Sequence, residues 1–269
     1  MNEEAIRLYG FSHMAGIDGL VHAVSGRQGG VSERHFRSLN LSTAVPDRQE
    51  AVFENRRRLA VALGIDPERL LKPGQVHGTE CLVVGRAEIT AGLPGLADSP
   101  LVADGLLTAE PDLYLFMTFA DCVPVLLCDP VRRVVGLVHA GWKGTVAGAA
   151  RHALQTAAEV FGCRPQDVLV GVGPSIGPDQ YEVGEDVAKA ARRAFPRAKG
   201  LVDYRENGKA HLDLWRANAY QLEQLGVPGA NIEISGLCTA SHTDLFFSHR
   251  AEKGNTGRLG AVIGLRSDE

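Results

Sequence analysis

The sequence predicts an α/β (α+β) fold, a single domain over residues 1–269 with mixed β-sheets flanked by outer helices. Three observations carry this. Short, β-branched apolar runs recur at 82–84, 105–108, 113–119, 123–128 and 134–139, too short to prefer helix. Longer stretches with apolar residues every three or four positions occupy 145–161, 185–195 and 213–225. Strands crowd the middle and return at the end, which favours mixed sheets over strict strand–helix–strand alternation. No repeat, low-complexity segment or Pro/Gly/Ser linker divides the 269 residues, a length that allows one large domain.

The elements follow in order. Residues 20–25 read as a strand leading into the turn-rich 26–32. Asp47, with Glu50 three residues on, resembles a capping box. Val52, Arg56, Leu59, Ala60 and Leu63 then follow at helical spacing, and Gly64 stands where a C-terminal cap belongs. Residues 91–100 read as a surface loop. Thr145 can cap a helix running to about Phe161, with Val146, Ala149, Ala150, Ala153, Leu154, Ala157 and Val160 as its apolar stripe. Residues 168–172 form a buried strand, and Gly226 closes the helix at 213–225. Strands at 232–235, 245–248 and 259–265 complete a sheet.

Composition narrows the function. The chain is 45% hydrophobic and 22% charged, which fits a globular protein. The net charge is −4 and no basic run exceeds Arg56-Arg57-Arg58, so a nucleic-acid partner is not expected. The longest apolar stretch, 113–120, falls far short of the roughly 20 residues that span a bilayer, so no membrane partner is expected. Residues 1–11 are acidic and lack the apolar core of a signal peptide, which points to the cytoplasm. Five cysteines without a CxxC pair argue against a disulfide framework and leave individual thiols for metal or catalysis. Gly171-Val172-Gly173 runs into Pro174, and GxxxxGK[ST] is absent, so no nucleotide-phosphate loop is read.

Three polar residues sit at the ends of apolar strands: His77, Cys122 and His139. Rigid backbone presents such side chains into a cleft. A His/Cys/His set suits zinc or copper, and three ligands leave one position open. The same atoms fit a second chemistry, with Cys122 as a thiolate nucleophile, His139 as its base, and Asp121 or another carboxylate orienting the imidazole. A plain structural reading fits too, with a small core cysteine and turn-bonding histidines. Arg56, Lys143, Arg250 and Arg258 are candidate anion ligands or simply solvated cations. Lys143 stands beside the start of a helix, whose free N–H groups favour an anion.

At these residues the chain resembles the YfiH family, also called the laccase-domain or peptidoglycan-editing-factor family. The matching motifs run through nearly the whole sequence. They include Ser38-Leu39-Asn40-Leu41-Ser42, Glu54-Asn55-Arg56, Gln75-Val76-His77-Gly78, Ala103-Asp104-Gly105, Ala120-Asp121-Cys122-Val123-Pro124, His139-Ala140-Gly141-Trp142-Lys143, Tyr181-Glu182-Val183-Gly184 and Thr256-Gly257-Arg258. The resemblance implies a cysteine-hydrolase-like α/β fold and a zinc site of His77, Cys122 and His139, with copper a possible substitute. It implies phosphorolysis of adenosine, inosine, guanosine and methylthioadenosine, and deamination of adenosine. Purine nucleosides and phosphate are then the partners of a monomer, with Asn40, Arg56, Lys143, Arg250 and Arg258 in the binding set. Asp121 and Asp104 are the candidate general acid/base groups. Alternative activities in the family are editing of peptidoglycan precursors and copper-dependent polyphenol oxidation. Nine histidines with no His-x-His pair argue against multicopper oxidation. Lys143 stands where arginine is usual, which keeps the charge but loses the bidentate fork.

Overall fold

A computed structural model describes residues 5–267; residues 1–4, which begin the acidic N-terminal stretch, and 268–269 lie outside the described residues. In chain order the elements are β1 (Leu8–Tyr9), β2 (Leu20–Ser25), α1 (Gln49–Leu63), β3 (Leu70–Leu71), β4 (Cys81–Val83), α2 (Arg86–Thr90) and β5 (Gly105–Thr108). Then come β6 (Tyr114–Phe119), β7 (Val123–Asp129), β8 (Val134–Ala140), α3 (Trp142–Ala147), α4 (Ala149–Phe161), β9 (Leu169–Val172) and β10 (Glu182–Val183). The chain closes with α5 (Glu185–Ala194), β11 (Val202–Tyr204), β12 (Ala210–Leu212), α6 (Leu214–Glu223), β13 (Ile232–Ile234) and β14 (Leu259–Leu265).

Two mixed sheets dominate. The first has the order β1-β2-β14-β6-β3 and the second β13-β9-β7-β8-β5-β4, with a small sheet β10-β12-β11 beside them. The central strands are apolar on both faces because each face meets a different layer. On β6, Leu115, Met117 and Phe119 pack between the two large sheets, while Tyr114 and Phe116 pack with Leu59 and Ala60 of α1. On β7, Leu126 and Cys128 join that inter-sheet layer, while Val123, Val125 and Leu127 face Ala153, Leu154 and Ala157 of α4. The layers therefore run helix, sheet, sheet, helix. Each fully buried aliphatic side chain contributes about 1.5–3 kcal/mol, so the core holds the fold without help from a metal.

Sheet two builds the site. β7, β8 and β5 are adjacent and antiparallel, pairing Pro124 with His139 and Gly105 with Val138. Cys122 just before β7, His139 near the end of β8 and Asp104 just before β5 therefore meet at one end of the sheet. The segment 74–78 is fastened alongside by the Gly74–Val102 bridge and by Gln75, whose side chain bonds the Thr118 N–H at 2.9 Å and the Thr118 carbonyl at 3.0 Å.

Three sequence expectations need correction. The expected strand at 245–248 is a turn, because the Leu245 and Phe246 N–H groups both donate to the His242 carbonyl. The expected helix at 145–161 begins earlier and is two helices, broken where Gly148 takes φ +91°. The capping box at α1 does not form. Asp47 instead accepts from Ser32 Oγ at 2.6 Å and Asn40 Nδ2 at 2.9 Å, and the N-cap position is Arg48.

Candidate metal centre and active-site cleft

The ligating atoms of His77, Cys122 and His139 all lie within 4.8 Å of one another. His77 sits at φ +60° and Asp121, next to Cys122, at φ +79°, both in the left-handed region that non-glycine residues enter at a cost. Buried carboxylates hold both turns. Asp104, fully buried, accepts from the N–H groups of Gly78 at 2.6 Å, His77 at 3.0 Å and Val76 at 3.2 Å. Its Oδ1 also accepts from His139 Nδ1 at 2.7 Å. One carboxylate thus fixes the backbone of one imidazole and the tautomer of the other, leaving His139 Nε2 as the atom able to take a metal. Burial pushes Asp104 up, but these hydrogen bonds, His139 first, hold it below the ordinary carboxylate range.

Charge in the triad follows from proximity. Burial alone raises the Cys122 thiol, yet the His139 charge and hydrogen bonds from His139 and His77 bring it down to about 6. Burial lowers His139, but the Cys122 thiolate and Asp104 raise it to about 9. The protein thus stabilises a thiolate, the form a metal ligand needs, and a bound cation would replace the imidazolium proton. Space agrees: a Cβ built on Gly141 would stand 2.9 Å from Cys122 Sγ and 3.1 Å from His77 Cδ2. The donor set and this cleared volume fit a zinc- or copper-sized ion.

The triad lines a cleft of about 700 Å³. Lys143, Arg250 and Arg258 bring positive charge to it, and Trp142 and Tyr181 bring aromatic faces. Arg258 is half-buried, donates to the carbonyls of Thr256 and Gly257 at 2.9 Å each, and makes no ion pair among the described residues. Burial lowers its pKa against the pull of Cys122 and Asp121. Arg250 donates to the Glu182 carbonyl at 2.7 Å and lies 5.1 Å from the Tyr181 ring centre. Lys143 is exposed, 5.9 Å from the Trp142 ring. Tyr181 is pushed up to about 12 by burial and by Cys122.

The other candidates stand elsewhere. Arg56 does not line the cleft; it is fully buried and its guanidinium binds Asp98 at 2.7 Å and the carbonyls of Leu41 and Leu96. Asn40 is also fully buried, and its side chain holds Ser42, Asp47 and the Arg258 N–H. Neither side chain is among the residues that line the cleft. Asp121 reaches the cleft, but its Oδ1 accepts from Thr239 Oγ1 and Ser248 Oγ at 2.7 Å each and its Oδ2 from the Arg250 N–H at 2.6 Å. Those three bonds tie the segment bearing His249 and Arg250 to the turn bearing Cys122. Asp104, not Asp121, is the carboxylate on His139. Sequence reasoning missed His249, Lys72 and Asp98 in the cleft lining, since only folding brings them there.

Fold and site together define a layered α/β protein with a His/Cys/His centre in a cationic cleft. Residues 21–266 match the family described as "Multi-copper polyphenol oxidoreductase laccase", and the chain belongs to it. A protein of Bacteroides thetaiotaomicron named purine nucleoside phosphorylase is 36% identical over 254 residues, 94% of each chain. The purine nucleoside phosphorylase YlmD of Geobacillus stearothermophilus is 39% identical over 255 residues, 93% of this chain and 92% of its own. The crystal structure of that YlmD superimposes with a TM-score of 0.91 over 99% of this chain and 98% of its own, at 36% identity. The hypothetical protein YfiH of Bacillus licheniformis gives 0.86 over 92% and 93%, at 35% identity. Among the described residues no helix is long and apolar enough to cross a membrane.

Proposed function

We propose that this chain is a zinc-dependent purine nucleoside phosphorylase acting on adenosine, inosine, guanosine and methylthioadenosine, with adenosine deaminase activity. It works in the cytoplasm as a monomer, and copper can replace zinc. The observation that carries the reading is a His/Cys/His set in the same cleft as Lys143, Arg250 and Arg258, in a chain whose relatives carry the phosphorylase name. His77, Cys122 and His139 hold the ion, which when bound supplies a Lewis acid with one open position. Arg258 and Arg250 hold phosphate near the triad, and Lys143 adds charge at the mouth. Trp142 and Tyr181 offer faces on which a purine stacks. In phosphorolysis the bond from ribose C1′ to the purine breaks, one from C1′ to a phosphate oxygen forms, and the purine leaves with a proton. Deamination consumes water instead and needs no phosphate.

The test is the phosphate requirement. Inosine turnover is expected to need phosphate and to yield ribose 1-phosphate and hypoxanthine. Lys143→Ala is expected to raise the phosphate KM about tenfold or more, the value of one charge-assisted contact, and to leave adenosine deamination far less changed. Full-rate cleavage without phosphate, releasing free ribose, rejects the phosphorylase. Equal loss of both activities in Lys143→Ala rejects the role of that residue.

One geometric fact favours a second reading. Asp104, His139 and Cys122 stand in series: the carboxylate orients the imidazole, whose ligand atom lies within 4.8 Å of the sulfur. A cysteine hydrolase editing peptidoglycan precursors would use such a series. A covalent adduct on Cys122, seen by intact mass during turnover of a metal-free preparation, selects this reading. Turnover that tracks metal content without an adduct selects the first.

A further inference from the structure

The cleft is also lined by a second charged group that the chemistry above does not use. Lys72, 4% exposed, places its Nζ 3.1 Å from Asp98 Oδ2 and 3.3 Å from the Pro73 carbonyl. Arg56, 0% exposed, places Nη1 2.7 Å from Asp98 Oδ1, and its Nη2 has no hydrogen-bond partner among the described residues. Asp98 also accepts from Thr43 Oγ1 at 2.9 Å. Two desolvated cations therefore share one carboxylate.

A purely structural ion pair needs one cation for one carboxylate, and an extra buried charge is costly. The imbalance sits at the cleft wall. An ammonium has three protons, of which Lys72 directs two at Asp98 and Pro73, leaving one. Ser42 lines the same cleft and precedes Thr43, whose hydroxyl holds the Asp98 carboxylate that Lys72 also binds. The Ser42 oxygen accepts from the Ala44 N–H at 3.2 Å, which leaves the hydroxyl proton to donate. Burial depresses Lys72 and Arg56 alike, and the charge of Arg56 further disfavours that of Lys72, as expected of a site short of one anion.

We propose that Lys72 and Ser42, with the charge of Arg56 behind them, form a second anion seat in this cleft, for a phosphate or carboxylate group. The group is either free inorganic phosphate or the acidic substituent of the molecule filling the cleft. The latter source rests on the nucleoside reading above; the former does not. The seat uses none of Lys143, Arg250 and Arg258, the cations assigned above to phosphate and the mouth of the cleft.

The experiment is calorimetric titration of the metal-loaded chain with inosine, inosine 5′-monophosphate and inorganic phosphate. The monophosphate is expected to bind about tenfold more tightly than inosine, the value of one hydrogen bond to a charged group. Lys72→Met and Ser42→Ala are expected to erase that advantage and leave inosine binding unchanged. Lys72→Met keeps Asp98 paired with Arg56, and an unchanged melting temperature confirms that it folds. If the monophosphate has no advantage but Lys72→Met loses a phosphate site, the seat stands and takes the free ion. If inosine does not bind while phosphate binding still depends on Lys72, the nucleoside reading fails and the seat stands. A wild type that gives the monophosphate no advantage, with phosphate binding unchanged in Lys72→Met, overturns the proposal.

Discussion

Asp104→Asn isolates what the buried carboxylate does for the proposed metal centre. The carboxylate accepts four hydrogen bonds in two pairs: His139 Nδ1 and the His77 N–H on Oδ1, the Gly78 and Val76 N–H groups on Oδ2. Asparagine keeps the shape but turns one of the two oxygens into an NH₂ donor. Whichever way the amide flips, a donor then faces donors. Either His139 loses its acceptor or the 76–78 segment loses two. Hydrogen bonds to a charged group are worth about 1.5–3 kcal/mol each, and loss of a partner behind a ligating histidine lowers metal affinity about 10- to 100-fold. The expected result is therefore a zinc affinity down by that factor in chelator competition, with the far-UV circular dichroism spectrum unchanged because the core does not depend on this group. Asp104→Ala is expected to lose at least as much. A folded Asp104→Asn protein whose zinc affinity stays within twofold of the wild type would refute the argument that this carboxylate organises both histidines.

Two further outcomes follow from other parts of the structure. Gly141→Ala places a methyl group 2.9 Å from Cys122 Sγ and 3.1 Å from His77, so metal content by elemental analysis is expected to fall while thermal unfolding stays cooperative; full occupancy would show that the triad has room to spare. Burial holds His22 below its ordinary 6.5, and its Nε2 accepts from the Phe11 N–H at 3.0 Å. The unfolded chain then takes up a proton near pH 6.5 that the folded chain resists. This stability is present above pH 6.5 and is lost as pH falls from there toward the folded value. Subtracting the pH–melting curve of His22→Gln from that of the wild type is expected to show this acid-side loss, and two parallel curves would exclude it.

How much of this was legible in the sequence depends on the range of the interaction. His77, Cys122 and His139 stood out because each ends an apolar run, and a polar residue there has few ways to be satisfied inside a core. Asp104 was visible only as a polar residue in a motif. Its role depends on β5 lying antiparallel to β8, a pairing that no local pattern announces. The helix at 145–161 was right in its apolar face and wrong in its continuity. The stripe runs through Val146 and Ala149, and nothing in its period reveals that Gly148 between them turns left-handed. The strand assigned to 245–248 failed differently. Phe246 and Phe247 are both fully buried, as in a central strand, but they are held by a turn and by the Asp121 clamp on Ser248 and Arg250. Arg56 is the instructive case. It occupied a position in the apolar stripe of α1, and helical geometry therefore placed it inward, against the core. A charge on a buried stripe must find a partner or a ligand. The partner was Asp98, in a loop about forty residues on that the sequence assigned to the surface, and it is shared with Lys72. The same stripe position that denies Arg56 a direct place in the cleft thus makes it the fixed charge behind the cleft wall, and ties the loop at 91–100 to the site.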